Sequence, residues 1–305
     1  MKNPRPSCPN PECPNHTKPA RGFYVKNGYR KTKADRNPTP RYRCRDCGRN
    51  FCASVARKTT QQHRPELNAL IFKAAVSGTN MRRIAENLGC SRRTVERKIE
   101  LLAQQAREHH ARFLANPENR TRLVMMDELE TFIHARYKQV SVPVVVRART
   151  GEIIAFGIAR TTSKMKLGGA GIGQLPAGGK AWQMDDRHLV VPRVLATAAA
   201  LLKDDAAIST DGSTSYPKWV KQHMPGVKHL VRLSPKESNL GRAKRRATGE
   251  PREHDPLFAI NVLFAKMRND LARLGRKTWT TTKSIKGLEN HLWLHVARTN
   301  KYPLK

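Results

Sequence analysis

The sequence predicts a multidomain chain in which a small cysteine-built unit and a pair of helices precede a larger α/β domain. Three observations carry that expectation. Four cysteines fall into two close pairs, Cys8/Cys13 and Cys44/Cys47. The stretch "NMRRIAENLGCSRRTVERKIELL" has the spacing of helix, glycine turn, helix. Beyond residue 121, strand-like apolar runs alternate with helical ones and place single acids at Asp127 and Asp211. A chain of 305 residues has room for two or three such units.

The charge narrows the partners. Lys and Arg number 58 against 24 Asp and Glu, a formal net charge of +34 that is far beyond what solubility needs. It points to a dense polyanion, nucleic acid first and an acidic membrane surface second. No apolar run reaches the length of about 18 residues needed to span a bilayer. The opening "MKNPRPSCPNPEC" lacks the apolar centre of a signal peptide. The expected location is therefore cytoplasmic, where thiols stay reduced and paired cysteines bind metal more often than each other.

Residues 1–58 are expected to form a zinc ribbon. "CPNPEC" and "CRDC" each sit on a tight turn containing Pro or Gly, the arrangement by which two knuckles present four thiolates to one tetrahedral Zn²⁺. Between them "GFYVKNGYRKT" and "PRYRCRDC" read as a hairpin. A unit this small does not fold on apolar burial alone, and the metal supplies the difference. The zinc is structural, because Cys8, Cys13, Cys44 and Cys47 leave no open coordination position. His16 reads as an exposed loop residue, and Cys52 and Cys90 as small core residues.

Residues 59–120 are expected to hold a helix-turn-helix and a linker helix. Ile84, Ala85 and Leu88 make one apolar stripe, Gly89 permits a sharp turn, and Ser91 can cap the next helix. Val95 and Ile99 continue the apolar face, while Arg92, Arg93, Thr94 and Arg97 point the other way. A basic second helix of this kind enters the major groove, where Arg reads guanine edges. "LLAQQAREHHARFLANPENRTR" reads as a further helix and a linker.

In residues 121–305, "RLVMMDELETFIH" is a strand with Asp127 in its middle, and "VSVPVVVRARTGEIIAFGIART" is two strands joined at Thr150-Gly151. The Gly-rich "KLGGAGIGQLPAGGK" lacks the Gly-Lys-Ser/Thr ending of a phosphate-binding loop. "RHLVVPRVLATAAALLK" is a helix bent or begun at Pro192, "AAIST" a strand ending on Asp211, and "KHLVRL" a further short strand. The basic loop "GRAKRRATGEPR", with Lys244, Arg245 and Arg246, suits backbone phosphates. Ile260, Leu263, Phe264, Met267, Leu271 and Leu274 line the apolar face of a late helix.

Three strands, a helix, a strand, a connection and a late helix is the order of an RNase H-like domain. In that order the acid in the first strand and the acid ending the fourth stand side by side. Two carboxylates there would hold divalent Mg²⁺ or Mn²⁺, the ions used in two-metal phosphodiester chemistry. Taken singly, Asp-Gly at 211–212 is also a common turn pair, and Asp127 also suits an ion pair with a nearby arginine. Glu128, Glu130, Asp185, Asp186, Asp204 and Asp205 are expected to be solvated.

The cysteine knuckles with "RYRCRDCGRNF", the helix-turn-helix, "MDELETFIHARYK", "STDGSTSYPKW" and "LARLGRKTWTTTKS" together resemble the DDE-type transposases, specifically the family of bacterial insertion sequence one and its relatives. The resemblance covers nearly the whole chain. It implies a bacterial, nucleoid-associated protein that acts as at least a homo-dimer on double-stranded DNA, both the terminal inverted repeats of its element and the target. It implies an RNase H-like catalytic domain over 121–305 in which Asp127 and Asp211 are the first two catalytic acids and ligands of Mg²⁺ or Mn²⁺. Where the family carries its third acid, usually Glu, this chain has Asn261, and the basic residue two helical turns later is Arg268. Asn offers a carbonyl oxygen to a hard cation but brings no charge. Glu253, Asp255, Asp270 and Glu289 are rival third acids, Asp270 with Lys277 two turns beyond it.

The function so implied is binding of element ends followed by metal-dependent strand cleavage and strand transfer. Asn261 keeps open a second class, a transposase-derived DNA-binding regulator without catalysis. A membrane-surface protein would need an amphipathic helix with a large exposed apolar face, which the sequence lacks.

Overall fold

The computed structural model describes residues 7–30, 38–52, 62–135, 137–162, 184–232, 248, 255–275, 280 and 282–304. The Gly-rich stretch and the basic loop with Lys244, Arg245 and Arg246 lie outside them, as does Glu253. The chain divides into two compact units, Met1–Ala69 and Leu70–Leu304. It is an α/β protein with a mixed sheet. Among the described residues no helix is long and apolar enough to cross a membrane.

The first unit is a three-stranded antiparallel sheet, β1 (Tyr24–Arg30), β2 (Thr39–Cys44) and β3 (Asn50–Cys52). Tyr24 pairs with Cys44 and Tyr42 with Phe51. Phe23, Tyr24, Tyr42 and Phe51 pack ring against ring with centroids 4.6–6.0 Å apart, beside Cys8, Cys13 and Cys44. Four aromatics and three thiols are a very small core, so this sheet relies on whatever its cysteines hold.

The helical segment comprises α1 (Leu67–Ala75), which spans the division between units, α2 (Met81–Asn87) and α3 (Arg92–Ala115). Asn80 caps α2, its Oδ1 accepting from Arg82 and Arg83 N–H at 3.1 and 3.0 Å. Gly89 turns the chain with φ +55°, a conformation that costs a side-chain-bearing residue. Ser91 Oγ then accepts Thr94 N–H at 3.1 Å and starts α3. The expected break inside this segment is absent: α3 runs unbroken for 24 residues, because nothing between Arg92 and Ala115 disfavours a helix. Its inner face is Val95, Ile99, Leu102, Ala103 and Ala106.

The large sheet has the order β6-β5-β4-β8-β9, with a short β7 on β5. β4 (Thr121–Phe132), β5 (Gln139–Arg147) and β6 (Ile153–Phe156) are antiparallel neighbours; β8 (Leu202–Thr210) and β9 (Lys228–Val231) join parallel to β4. β7 is Ala159–Arg160. β5 is apolar without alternation because helices cover both faces. On one face α4 (Arg187–Ala199) and α5 (Tyr216–His223) pack on Val124, Met126 and Ile208. On the other, α6 (Phe258–Asp270) and α7 (Ile285–Thr299) pack on Leu129, Val142 and Val144. α4 runs through Pro192 rather than starting there, and "LLK" leaves the helix, Leu202 opening β8. α6 stops at Asp270, so Leu271 lies between the helix and a 3₁₀ turn (Ala272–Leu274), and Leu271 and Leu274 still reach the core.

The helical pair and the sheet belong to one unit. α3 lies along α7, with Arg107 donating to Glu289 and Asn290, each at 3.1 Å. His110 is 4% exposed and bridges Ile154 and Tyr302; its Nε2–H donates to the Ile154 carbonyl at 2.9 Å, leaving Nδ1 to accept the Tyr302 hydroxyl at 2.9 Å. The turn between α1 and α2 meets the end of α6: Gly78 N–H donates to the Asp270 carbonyl at 2.7 Å, and Arg298 of α7 donates to the Val76 carbonyl. Gly78 has φ +73°, and a Cβ there would stand 3.0 Å from the Asn269 carbonyl oxygen.

Candidate metal sites and nucleic-acid interface

Two sites emerge, one in each unit. In the larger unit, β4 and β8 run parallel with Met126 paired to Thr210. Asp127 is the next residue on β4, and Asp211 is the first residue past the end of β8. Alternation along β4 sends Val124 and Met126 toward α4 and α5, so Asp127 shares the opposite face with Met125 and Leu129, beneath α6. Asp211, just beyond Thr210, lies close enough for its charge to act on Asp127.

The electrostatics agree with that proximity. Burial raises the Asp127 carboxyl to about 6; the neighbouring charges of Asp211 and Glu128 push the same way, while the Glu128 N–H and the Arg268 guanidinium oppose. The Glu128 N–H donates to Asp127 Oδ1 at 2.7 Å. Asp211 Oδ1 accepts the Ser213 N–H at 3.1 Å, so its Asp-Gly turn geometry coexists with a place beside Asp127. The Thr210 hydroxyl donates to the Asp211 carbonyl at 3.0 Å and takes the Nε2–H of His229 at 2.8 Å. Arg268, on α6 beside the buried Met267, is the cation whose field reaches Asp127.

The candidates for a third ligand are dispersed. Asn261 is exposed on α6, and its amide donates to Asp255 Oδ2 at 2.8 Å. Asp255 also caps the approach to α6 by accepting the Leu257 N–H. Asp270 is 8% exposed and lies 3.4 Å from His295 and 3.6 Å from Arg298, so its charge is spent within that cluster. Glu289 binds Arg107 and the Trp293 indole N–H.

Glu128, Asp185 and Asp186 depart from the expectation that they are solvated. Asp186 pairs with Arg160 at 2.5 Å and Asp185 with Arg187 at 3.2 Å. Glu128 Oε1 accepts the Tyr216 hydroxyl at 2.9 Å, and Oε2 accepts the Ser141 hydroxyl. Burial and the nearby carboxylates hold the Tyr216 phenol far above its ordinary value, so it stays a donor. Sequence reasoning passed over Tyr216; its one local signal is its place at the close of "DGSTSY".

In the smaller unit Cys8, Cys13, Cys44 and Cys47 bring their sulfurs within 4.8 Å of one another, the one such group of three or more His, Cys, Asp or Glu side chains among the described residues. Cys8 and Cys47 Sγ are 3.4 Å apart, Cys13 and Cys44 3.8 Å. A tetrahedral thiolate site with metal–sulfur bonds of about 2.3 Å needs sulfurs ~3.8 Å apart, and the cluster fits. Burial pushes the Cys8 thiol up to about 12 and raises Cys13, whereas the Arg49 N–H draws Cys47 down to about 7. Cys8 and Cys13 without a cation are therefore poor thiolates, and a bound metal reverses that cost. His16 stays out of the cluster, its Nδ1 2.7 Å from the Cys8 carbonyl.

Arg92, Arg93 and Arg97 are exposed at the start of α3, with Thr94 half-buried against Ser91. Arg82 and Arg83 of α2 are exposed too. A comparison with models of known protein families gives no match for this chain, and a comparison with curated proteins gives none.

Proposed function

We propose that this chain is a DNA transposase of the DDE type, binding the ends of its element and cutting and rejoining strands in an RNase H-like domain. The observation that carries this is the closeness of Asp127 in β4 to Asp211, one residue past the paired end of the adjoining parallel strand β8, under a helix that carries Arg268. The sheet order, three antiparallel strands followed by two parallel ones, is the order such a domain requires.

The acid pair fits a hard divalent cation. Two carboxylates supply oxygen ligands, and burial beside a second acid disfavours the charged form of Asp127, a cost that a bound cation would offset. Asp127 and Asp211 would hold Mg²⁺ or Mn²⁺, with the Asn261 carbonyl oxygen as a further ligand. A divalent ion held by Asp127 and Asp211 would supply activation of the attacking oxygen and stabilisation of the leaving one. Arg268 would take a share of the phosphate charge, and the parallel pairing of Met126 with Thr210 keeps the two acids close together.

The helix-turn-helix reads DNA with Arg92, Arg93, Thr94 and Arg97, and the zinc ribbon adds contacts at the element ends. Lys244, Arg245 and Arg246 hold backbone phosphates, and the active form is at least a dimer. A net charge of +34 makes binding strongly salt-dependent.

One observation favours a second reading. The side chain at the third ligand position carries no charge and is engaged with Asp255, as a DNA-binding regulator without catalysis would permit. Incubation with a supercoiled plasmid bearing the element ends separates the two. Nicking in Mg²⁺ or Mn²⁺ that Asp127→Ala and Asp211→Ala abolish supports the enzyme; tight binding without cleavage in either metal supports the regulator.

A further inference from the structure

Glu128 has no part in that chemistry, yet it is tied to more of the fold than either acid. Its two oxygens accept the hydroxyls of Tyr216 and Ser141, and each of those residues is 2% exposed. Three elements meet at one carboxylate: β4, β5 and the first turn of α5. Glu128 directly follows Asp127, and Tyr216 opens α5 at the end of the short loop that begins at Asp211. One hydrogen bond therefore joins the backbone beside the first acid to the loop that bears the second.

The arrangement is more than burial requires. The Tyr216 ring already packs with Met126, Val220 and Met224, space that a phenylalanine would fill equally well. The pairing of β4 with β5 runs without a bulge from Val124 to Phe132, so Glu128 and Asp127 point to opposite faces of the sheet. Glu128 thus cannot share a cation with Asp127 and Asp211.

We propose that Glu128 is a positioning residue which, through Tyr216 and Ser141, fixes the separation of Asp127 and Asp211 and so sets the affinity of that pair for a divalent cation. This rests on the metal-binding reading of the pair. Outer hydrogen bonds that orient ligands commonly govern metal affinity by 10–100-fold.

The test is a Mn²⁺ titration of the zinc-loaded full chain, followed by the electron paramagnetic resonance of the free ion. Tyr216→Phe is expected to raise the Mn²⁺ dissociation constant about 10-fold and Glu128→Ala at least as much, whereas Glu128→Gln, which keeps an acceptor for the phenol, stays within about threefold of the parent. Metal-free binding to a DNA fragment is expected to be unchanged for Tyr216→Phe, and the folded fraction at the titration temperature, read from thermal unfolding, is expected to stay complete. Parent-like Mn²⁺ affinity in Tyr216→Phe overturns the proposal, as does a loss in Glu128→Gln equal to that in Glu128→Ala. Asp127→Ala is the separate control: undiminished Mn²⁺ binding there overturns the metal reading and this proposal with it, while loss there together with parent-like Tyr216→Phe overturns the proposal alone.

Discussion

Asp127 and Asp211 stand abreast because the residues just before them, Met126 and Thr210, are partners across two parallel strands. Their proximity has a consequence for stability that needs no substrate. A carboxyl held at about 6 when folded, against an ordinary value of 3.8, keeps its proton where the unfolded chain has already lost it. The native state binds more protons than the unfolded one across that window, so stability falls as pH rises from about 4 to about 6. Asp127→Asn removes the effect. In buffer free of Mg²⁺ and Mn²⁺ it is expected to gain up to about 3 kcal/mol over the parent at pH 7 and nothing near pH 4. Urea unfolding at both pH values measures this, and a gain equal at the two would refute it.

Arg268 offsets part of the negative charge at Asp127. Arg268→Ala is expected to lower metal-dependent nicking by roughly 10²-fold, the scale of losing one preorganised charge at a reacting phosphate. Plasmid binding should scarcely change, since one of 58 basic residues is lost. Rates at saturating protein, set beside gel-shift affinities, distinguish the two effects.

The cysteine cluster makes its own forecast. Purified protein should carry about one zinc per chain, and Cys44→Ser should release it. End recognition is expected to weaken while Mn²⁺ binding at Asp127 and Asp211 persists, because the clusters lie in different units. Metal analysis of the purified chain, before and after chelation, decides it.

Gly78 tests the contact between the α1–α2 turn and α6. Alanine there must adopt φ +73° and place its Cβ 3.0 Å from a carbonyl oxygen. The expected cost is about 1–3 kcal/mol, read as a lower urea midpoint with an unchanged slope.

Much of this was legible in the sequence because the signals are local. An acid inside an apolar run stands out at Asp127; a glycine followed by a capping serine marks the start of α3; the cysteine pairs declare themselves by spacing. What escaped depends on partners far along the chain. α7 passed unnoticed because its buried face includes Asn290, His291 and His295, polar residues that read as surface. His291 is tolerated there because Gly287 accepts its Nδ1–H at 2.9 Å and Arg273 donates to its Nε2 at 3.3 Å. Glu128 looked solvated for the same reason: the phenol that binds it lies 88 residues away.

Gly78 and Val76 are fastened to Asp270 and Arg298, and Asp270 ends the helix that carries Arg268 to Asp127. On the function proposed above, a DNA-reading helical pair bolted in this way to the acid pair would work as a calliper. With the first helical turn of α3 in a groove, the scissile bond reaching the acids would be chosen by the span of the protein. Inserting about five base pairs, half a turn of duplex, between bound sequence and cut would then carry the bond to the far side of the helix.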